Sequence, residues 1–108
     1  MKLIIAVIQD EDAGDVISGL NEANFQVTRL STKGGFLRSG NTTILTGVEA
    51  EKVDAALKVI EANCKVRNQY ATLPSSSAAM HGFLLAPIEV MVGGATVFVL
   101  DVEQFHKY

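Results

Sequence analysis

The chain has 108 residues, of which 48% are apolar, and its formal net charge is −3. This length is typical of one domain, and an acidic chain without a basic stripe does not fit a binder of duplex nucleic acid. The single cysteine, Cys64, excludes an internal disulfide and a cysteine-rich zinc site.

The apolar stretch at the start of the chain bears on location. It runs from Leu3 to Ile8, which is too short to cross a bilayer, because a spanning helix needs about 20 apolar residues. Acidic residues 10–12 follow it, where a signal peptide would have a small-residue cleavage site. We therefore expect a cytoplasmic protein.

The first part of the chain predicts a strand, a helix and a second strand. Lys2 to Gln9 is rich in isoleucine and valine and is expected to be a buried strand. Asp10 is a natural N-cap for a helix over Asp12 to Ala23, where apolar residues recur at helical spacing. The alternating segment Phe25 to Ser31 predicts the second strand.

The second part predicts one more helix and three more strands. Thr42 to Val48 is expected to be a strand and Glu51 to Cys64 a helix. Tyr70 to Leu85 has no periodicity and indicates a long loop. Strands are then expected over 87–92 and from Ala95 to Leu100, separated by two glycines.

This order of elements is β-α-β-β-α-β with an extra C-terminal strand. It is typical of the ferredoxin-like α+β fold, an antiparallel sheet with two helices on one face. Residues 1–108 are expected to form one such domain. Because no third helix is predicted to cover the other face of the sheet, we predict a closed homo-oligomer.

The segment from Lys33 to Thr43 is the strongest candidate for a site. It combines three glycines, the apolar pair Phe36 and Leu37, two cations and an Asn-Thr-Thr run. Backbone N–H groups of such a loop can bind phosphate, and the apolar pair can pack against a planar ring. From the residues alone, an ordinary hairpin turn is the more common explanation of Gly34 and Gly35, and the apolar pair could equally lie in a subunit interface.

Five segments, read together, identify a family. They are Met1 to Ala6 with Gln9-Asp10, Asn24-Phe25, Lys33 to Thr43, Val92 to Val99, and Phe105-His106. Together they resemble the PII-like cyclic-di-AMP receptor proteins of Gram-positive bacteria. The resemblance implies a PII-like homotrimer with one cyclic di-AMP in each cleft between subunits, no other cofactor and no catalytic activity.

The resemblance also implies which segments and residues take part. Residues 32–41 correspond to the T-loop and residues 68–86 to an enlarged B-loop, whose rearrangement passes the signal to an unknown downstream protein. No nucleic acid, membrane or metal is expected as a partner. The implied ligand-binding residues are Asn24, Gln26, Thr28, Gly35, Phe36, Leu37, Asn41 and Gly47.

Within this set the resemblance assigns roles by position. Phe36 and Leu37 pack against adenine, and Asn41 hydrogen-bonds the base, as an amide that both donates and accepts can do. Gly35 makes a backbone contact, and the backbone of Gly47 meets the edge of the base. The remaining three lie near ribose and phosphate.

One of these positions departs from the family. Gln26 stands where members usually have arginine, which would make a charge-assisted bond to phosphate about twice as strong as a neutral one. Arg29 or Arg38 could supply that charge instead. Because of this departure, an alternative function remains: a PII-like trimer that binds a different nucleotide, or none, and serves as an interaction scaffold. An enzyme is disfavoured because the sequence offers no credible acid–base pair.

Several positions also have purely structural explanations. Asn41 could initiate a turn and Gly47 could form a bulge. Gly93-Gly94 is expected to form a turn or bulge that shapes the sheet. The acidic run 10–12 is expected to cap a helix rather than to bind a metal, and Cys64 is expected to be a packed apolar residue.

Overall fold

The structure, a computed structural model, describes residues 1–30, 40–71 and 88–108. Three of the predicted ligand-binding residues, Gly35, Phe36 and Leu37, lie outside the described residues. The same holds for most of the predicted loop segments 32–41 and 68–86.

The described residues form six strands and two α-helices, with one 3₁₀ turn over Ala50–Lys52. The elements, in chain order, are β1 Lys2–Gln9, α1 Asp10–Glu22, β2 Thr28–Leu30, β3 Asn41–Val48, α2 Val53–Cys64, β4 Arg67–Ala71, β5 Ile88–Val92 and β6 Ala95–Asp101.

The main sheet is antiparallel and has the strand order β2-β3-β1-β6. β1 lies in the middle, so that Leu3 stands opposite Gly47 of β3 on one side and Leu100 of β6 on the other. Both helices pack on the same face of this sheet. The predicted ferredoxin-like α+β fold is therefore confirmed.

The assignment of the last strands was wrong in one respect. The segment Ile88–Val92, expected to complete the main sheet, pairs instead with β4 in a separate two-stranded ribbon. The strand expected to be extra, Ala95–Asp101, takes the edge beside β1. Both segments alternate, so periodicity alone could not decide which one pairs with β1. β4 was missed because its sequence RNQYA carries no apolar alternation.

The hydrophobic core lies between the helices and the even-numbered side chains of the central strands. Ile4, Ala6 and Ile8 of β1 are fully buried there, as is Ile44 of β3. Helix residues Val16, Leu20, Ala56 and Ile60 complete the cluster. Each large aliphatic side chain buried in this way contributes about 1.5 to 3 kcal/mol to folding.

Cys64 ends α2 within this core and is 3% exposed, which confirms its predicted packing role. Its Sγ donates a hydrogen bond of 2.8 Å to the carbonyl of Ile60. Burial, followed by the negative charge of Asp12, raises the pKa of the thiol above its ordinary value of 9.0. The group is thus kept protonated and shielded.

We expect Cys64 to react much more slowly with iodoacetamide in the folded protein than in urea at the same pH. The thiolate is the reactive form, and both its formation and its access are opposed by burial. The raised pKa also predicts that stability falls as the pH rises above 9.0, because the unfolded thiol ionises first. Mass spectrometry of timed samples measures the labelling. Equal rates in buffer and urea would contradict the burial of Cys64 in the core.

The start of α1 differs from the prediction, and Asp10 bonds to strand β3 instead of capping the helix. The helix begins at Asp10, two residues early, and the N-cap is Gln9, whose side chain makes no capping bond. β1 runs into α1 without a linker, so Asp10 cannot serve as the cap. Instead its carboxylate accepts a 2.5 Å hydrogen bond from the Thr42 hydroxyl, and its N–H donates to the Gly40 carbonyl at 2.8 Å.

The β4–β5 ribbon is attached to the domain at its base. Arg67 of β4 forms an ion pair of 2.7 Å with the buried carboxylate of Asp12, and this hydrogen-bonded pair raises the pKa of Arg67. Gly93, with a φ of 88°, donates its N–H to the side-chain oxygen of Gln9 at 2.7 Å. A Cβ at Gly93 would collide with the carbonyl of Lys65. Both glycines have a positive φ and join β5 to β6 in the other sheet, so they have a structural role, but not the predicted turn or bulge within one sheet.

Candidate functional site

The face of the sheet opposite the helices has no cover among the described elements, and we call it the open face. Strand alternation and register place on it a largely apolar set of side chains. Phe98 and Leu100 are 53% and 47% exposed there. The open face comprises Leu3, Ile5, Val7, Gln9, Thr28, Leu30, Asn41, Thr43, Leu45, Gly47, Thr96, Phe98 and Leu100.

A cavity of about 400 Å³, the Gly47 cavity, opens on this face at the end of β3. It brings together three of the predicted ligand residues, Gln26, Thr28 and Gly47. The other lining residues are Met1, Leu3, Leu45, Val102 and Phe105. This lining is mainly apolar and contains no ionised side chain, which suits a neutral planar ring better than a phosphate group.

Local structure explains how these residues meet. Thr28 stands opposite Leu45 in the β2–β3 ladder, so it lies diagonally beside Gly47. The carbonyl of Gln26 is held by a 2.6 Å hydrogen bond from the hydroxyl of Thr46. Strand β3 thereby fixes both polar residues on the rim of the cavity.

Gly47 keeps the cavity open. It pairs with Leu3 in an uninterrupted ladder, so the alternative explanation as a bulge is wrong. A Cβ built on Gly47 would meet only the Met1 sulfur, at 3.8 Å. A side chain at this position would therefore point into the cavity.

Asn24 lies at the end of α1 and is not among the residues that line the Gly47 cavity. Its φ is 68°. The N–H of Asn24 donates to the carbonyl of Asn21 at 3.0 Å, and the N–H of Phe25 donates to the carbonyl of Leu20 at 2.9 Å. This pair of bonds is a Schellman motif, which requires a left-handed residue and favours glycine or asparagine. The backbone role of Asn24 is thus sufficient to explain its presence.

Replacing Asn24 with glycine is a test of its side chain alone. Glycine adopts a positive φ without strain, so we expect Asn24→Gly to change the thermal midpoint by less than about 5 °C. Asn24→Ala should be less stable, because alanine is strained in this conformation. If the side chain contacts ligand as predicted, Asn24→Gly loses affinity in a calorimetric titration while remaining folded. Unchanged affinity would leave Asn24 with its helix-ending role.

A second cavity, of about 330 Å³, lies at the opposite end of β3 and is called the Asn41 cavity. Asn41 pairs with Gln9 there, and the cavity is lined by Val7, Gln9, Asn41, Gly93, Gly94, Ala95 and Thr96. Asn41 and Gly47 share the open face but lie six residues apart, which is roughly 20 Å along a strand. A single base cannot reach both within one chain.

The structure does not place a described cation beside Gln26. Arg29 stands opposite Ile44, whose side chain is fully buried on the helix side of the sheet. Arg29 therefore lies on the other face from Gln26 and Thr28 and cannot replace the family arginine within its own chain. Arg38 lies outside the described residues.

Sequence reasoning missed one aromatic residue of the site. Phe105 lines the Gly47 cavity and is 64% exposed. A hydrogen bond of 3.1 Å from the Val102 N–H to the Met1 carbonyl holds the start of this tail against β1. Phe105 offers a stacking surface for a base. The available signal was the Phe105-His106 run within the resemblance.

Over the part of the chain that the structure describes, no group of three or more potential metal ligands occurs. Within the same part, neither helix is long and apolar enough to cross a membrane.

The fold and this face define the class: a small ferredoxin-like domain with a cavity on the helix-free side of its sheet. A sequence model of the cyclic-di-AMP receptor family matches residues 1–108. The chain belongs to this family, as the resemblance predicted. A similar solved structure is a functionally unknown protein from Pediococcus pentosaceus, 41% identical, with a TM-score of 0.77. The match covers 99% of this chain and 96% of that one.

Proposed function

We propose that this chain is a PII-like signal-transduction protein that binds cyclic di-AMP between the subunits of a homotrimer. The observation that carries the proposal is the Gly47 cavity, where Gln26, Thr28 and Gly47 meet on an apolar wall. Membership of the cyclic-di-AMP receptor family supplies the ligand. The protein acts as a receptor in the cytoplasm and not as an enzyme.

The open face supports assembly around the site. Phe98 and Leu100 are about half exposed on it, and Ile5 and Val7 lie beside them. Packing this face against further copies would remove apolar surface from water, at about 25 cal/mol per Å². A closed three-fold arrangement uses the same surface in every subunit and leaves no free copy of it.

Assembly also accounts for the separation of Asn41 from Gly47. The two positions are roughly 20 Å apart along one strand, yet both correspond to ligand contacts of the family. If the ligand lies between two subunits, each can contribute one end of its open face. One adenine then occupies the Gly47 cavity, and the other packs on Phe36 and Leu37 with its edge bonded to Asn41.

The output that we propose is reordering of the segments 32–41 and 68–86. Asn41 is the last residue of the first segment and the first residue of β3. The second segment begins within β4 and ends just before β5. Asn41 and Gly93, which directly follows β5, both line the Asn41 cavity, where Gly93 bonds to Gln9. A ligand shifts such segments only if it binds one of their arrangements more tightly. The new surface would recruit or release a downstream protein.

Gln26 favours a second candidate. Without the usual arginine, no described side chain that lines the cavity carries a charge for phosphate. A PII-like trimer that binds a different nucleotide, or none, and serves as an interaction scaffold is consistent with that neutral rim.

Isothermal titration with cyclic di-AMP separates the two candidates, with ATP and cyclic di-GMP as comparison ligands. The first candidate predicts saturable binding near one ligand per subunit and much weaker heats with the other two nucleotides. Binding of ATP or cyclic di-GMP in preference to cyclic di-AMP, or no binding by a well-folded oligomer, would reject it in favour of the second.

A further inference from the structure

Three threonines of β3 are buried, and the hydroxyl of one of them has no hydrogen-bond partner among the described residues. The Thr42 hydroxyl bonds to Asp10, and that of Thr46 bonds to the carbonyl of Gln26. Thr43 is 5% exposed, and its Oγ1 has no hydrogen-bond partner among the described residues. A buried hydroxyl without a partner destabilises a fold, and an isosteric valine would avoid that cost.

The position of Thr43 suggests what the hydroxyl is for. By alternation Thr43 lies on the open face, with Val7 and Leu30 directly opposite it on the neighbouring strands. It is two residues from Leu45, which lines the Gly47 cavity, and two from Asn41 of the Asn41 cavity. Each step is about 7 Å along the strand. A ribose or phosphate attached to a base in the Gly47 cavity would extend over this point.

We propose that the Thr43 hydroxyl hydrogen-bonds the sugar–phosphate ring of the bound cyclic dinucleotide. This inference rests on the proposed function and adds to it a polar contact that the family resemblance did not supply. A hydroxyl both donates and accepts, so it suits a phosphate oxygen or a ribose hydroxyl equally. It would also compensate in part for the missing charge at Gln26.

Because Thr43 is buried, a ligand can reach its hydroxyl only after a neighbouring side chain moves. Its Oγ1 is closed to water in the ligand-free chain, so a neighbouring side chain must turn aside when the ligand arrives. Leu30 is the best placed to do so, because it is 39% exposed on a strand of only three residues at the edge of the sheet. Side-chain rotation of this kind is fast compared with ligand binding.

Thr43→Val tests the proposal through two opposite effects. Removing an unpaired hydroxyl should raise the thermal midpoint of the ligand-free protein, by roughly 5 °C. Removing a bond to the ligand should weaken cyclic di-AMP binding roughly tenfold or more. Thr43→Ser, which keeps the hydroxyl, should bind within a few-fold of the wild type.

Thr42→Val is the matched control, since Thr42 lies on the same strand but faces the helices. It loses the bond to Asp10 and should lower the thermal midpoint while leaving the affinity unchanged. Titration calorimetry and scanning fluorimetry at one protein concentration measure both quantities, and light scattering measures the oligomeric mass.

The outcomes are distinct. If the wild type binds no cyclic di-AMP, the proposed function itself fails and the inference falls with it. If the wild type binds and Thr43→Val binds equally well, the proposed function stands and only the Thr43 contact is overturned. If Thr43→Val changes the oligomeric mass, the hydroxyl belongs to a subunit contact, and the inference is likewise overturned.

Discussion

Replacing Gly47 with leucine is expected to abolish cyclic di-AMP binding, with a loss of at least about 100-fold, while the chain remains folded. The backbone at Gly47 is ordinary extended strand, and a Cβ there meets only the Met1 sulfur at 3.8 Å. The leucine side chain would therefore fill the 400 Å³ cavity instead of disturbing the core. A base excluded from its cavity loses its whole apolar contact, which is sufficient for an effect of this size.

Gly14→Leu provides the matched control for this change. Gly14 is exposed on α1, and a Cβ built there meets nothing within 4 Å. We expect this variant to gain stability, because glycine inside a helix is unfavourable, and to bind as the wild type does. Titration calorimetry on both variants gives the comparison. Wild-type affinity in Gly47→Leu would show that the ligand does not use this cavity.

Introducing glutamate at Phe98 is expected to dissociate the proposed trimer. Phe98 pairs with Ile5 on the open face and is 53% exposed in the single chain. In an assembly that covers this face, the charge would be buried without a partner, which is among the most costly changes to an interface. Light scattering coupled to gel filtration should report a fall from three times the chain mass of 11.6 kDa to one.

The control for Phe98→Glu is the same charge placed on the outer surface of α2. Ala55 is exposed there, so Ala55→Glu should leave the mass unchanged. Circular dichroism establishes whether each variant is folded. A folded Phe98→Glu variant that keeps the mass of a trimer would show that subunits do not meet through the open face.

Periodic segments were predicted well and the connections between them were not. β1, β3 and α2 have strong apolar periods, and each was placed to within two residues. The sequence did not predict that β6, and not β5, pairs with β1. Tertiary packing decides which strands pair, and the side-chain pattern of each strand does not. Strand β2 covers Thr28–Leu30 and begins later than the predicted start at Phe25. The N–H of Phe25 instead bonds to the Leu20 carbonyl at the end of α1.

The candidate site divides in the same way. Alternation and ladder register bring Thr28 beside Gly47, and the bond from Thr46 to the Gln26 carbonyl holds Gln26 near them. The sequence could not reveal that Asn24 ends a helix through a positive φ, or that Phe105 folds back onto the cavity. Both features depend on the backbone conformation of segments outside the helices and strands, which the periodicity of side chains does not predict.

Native mass spectrometry of the wild-type protein with excess cyclic di-AMP tests the central claim most directly, because one spectrum reports both assembly and occupancy. We expect a species with three times the 11.6 kDa chain mass that takes up three ligands, and we expect Gly47→Leu to take up none. A single chain that binds cyclic di-AMP, or a trimer that binds none, would contradict a receptor whose site lies between subunits.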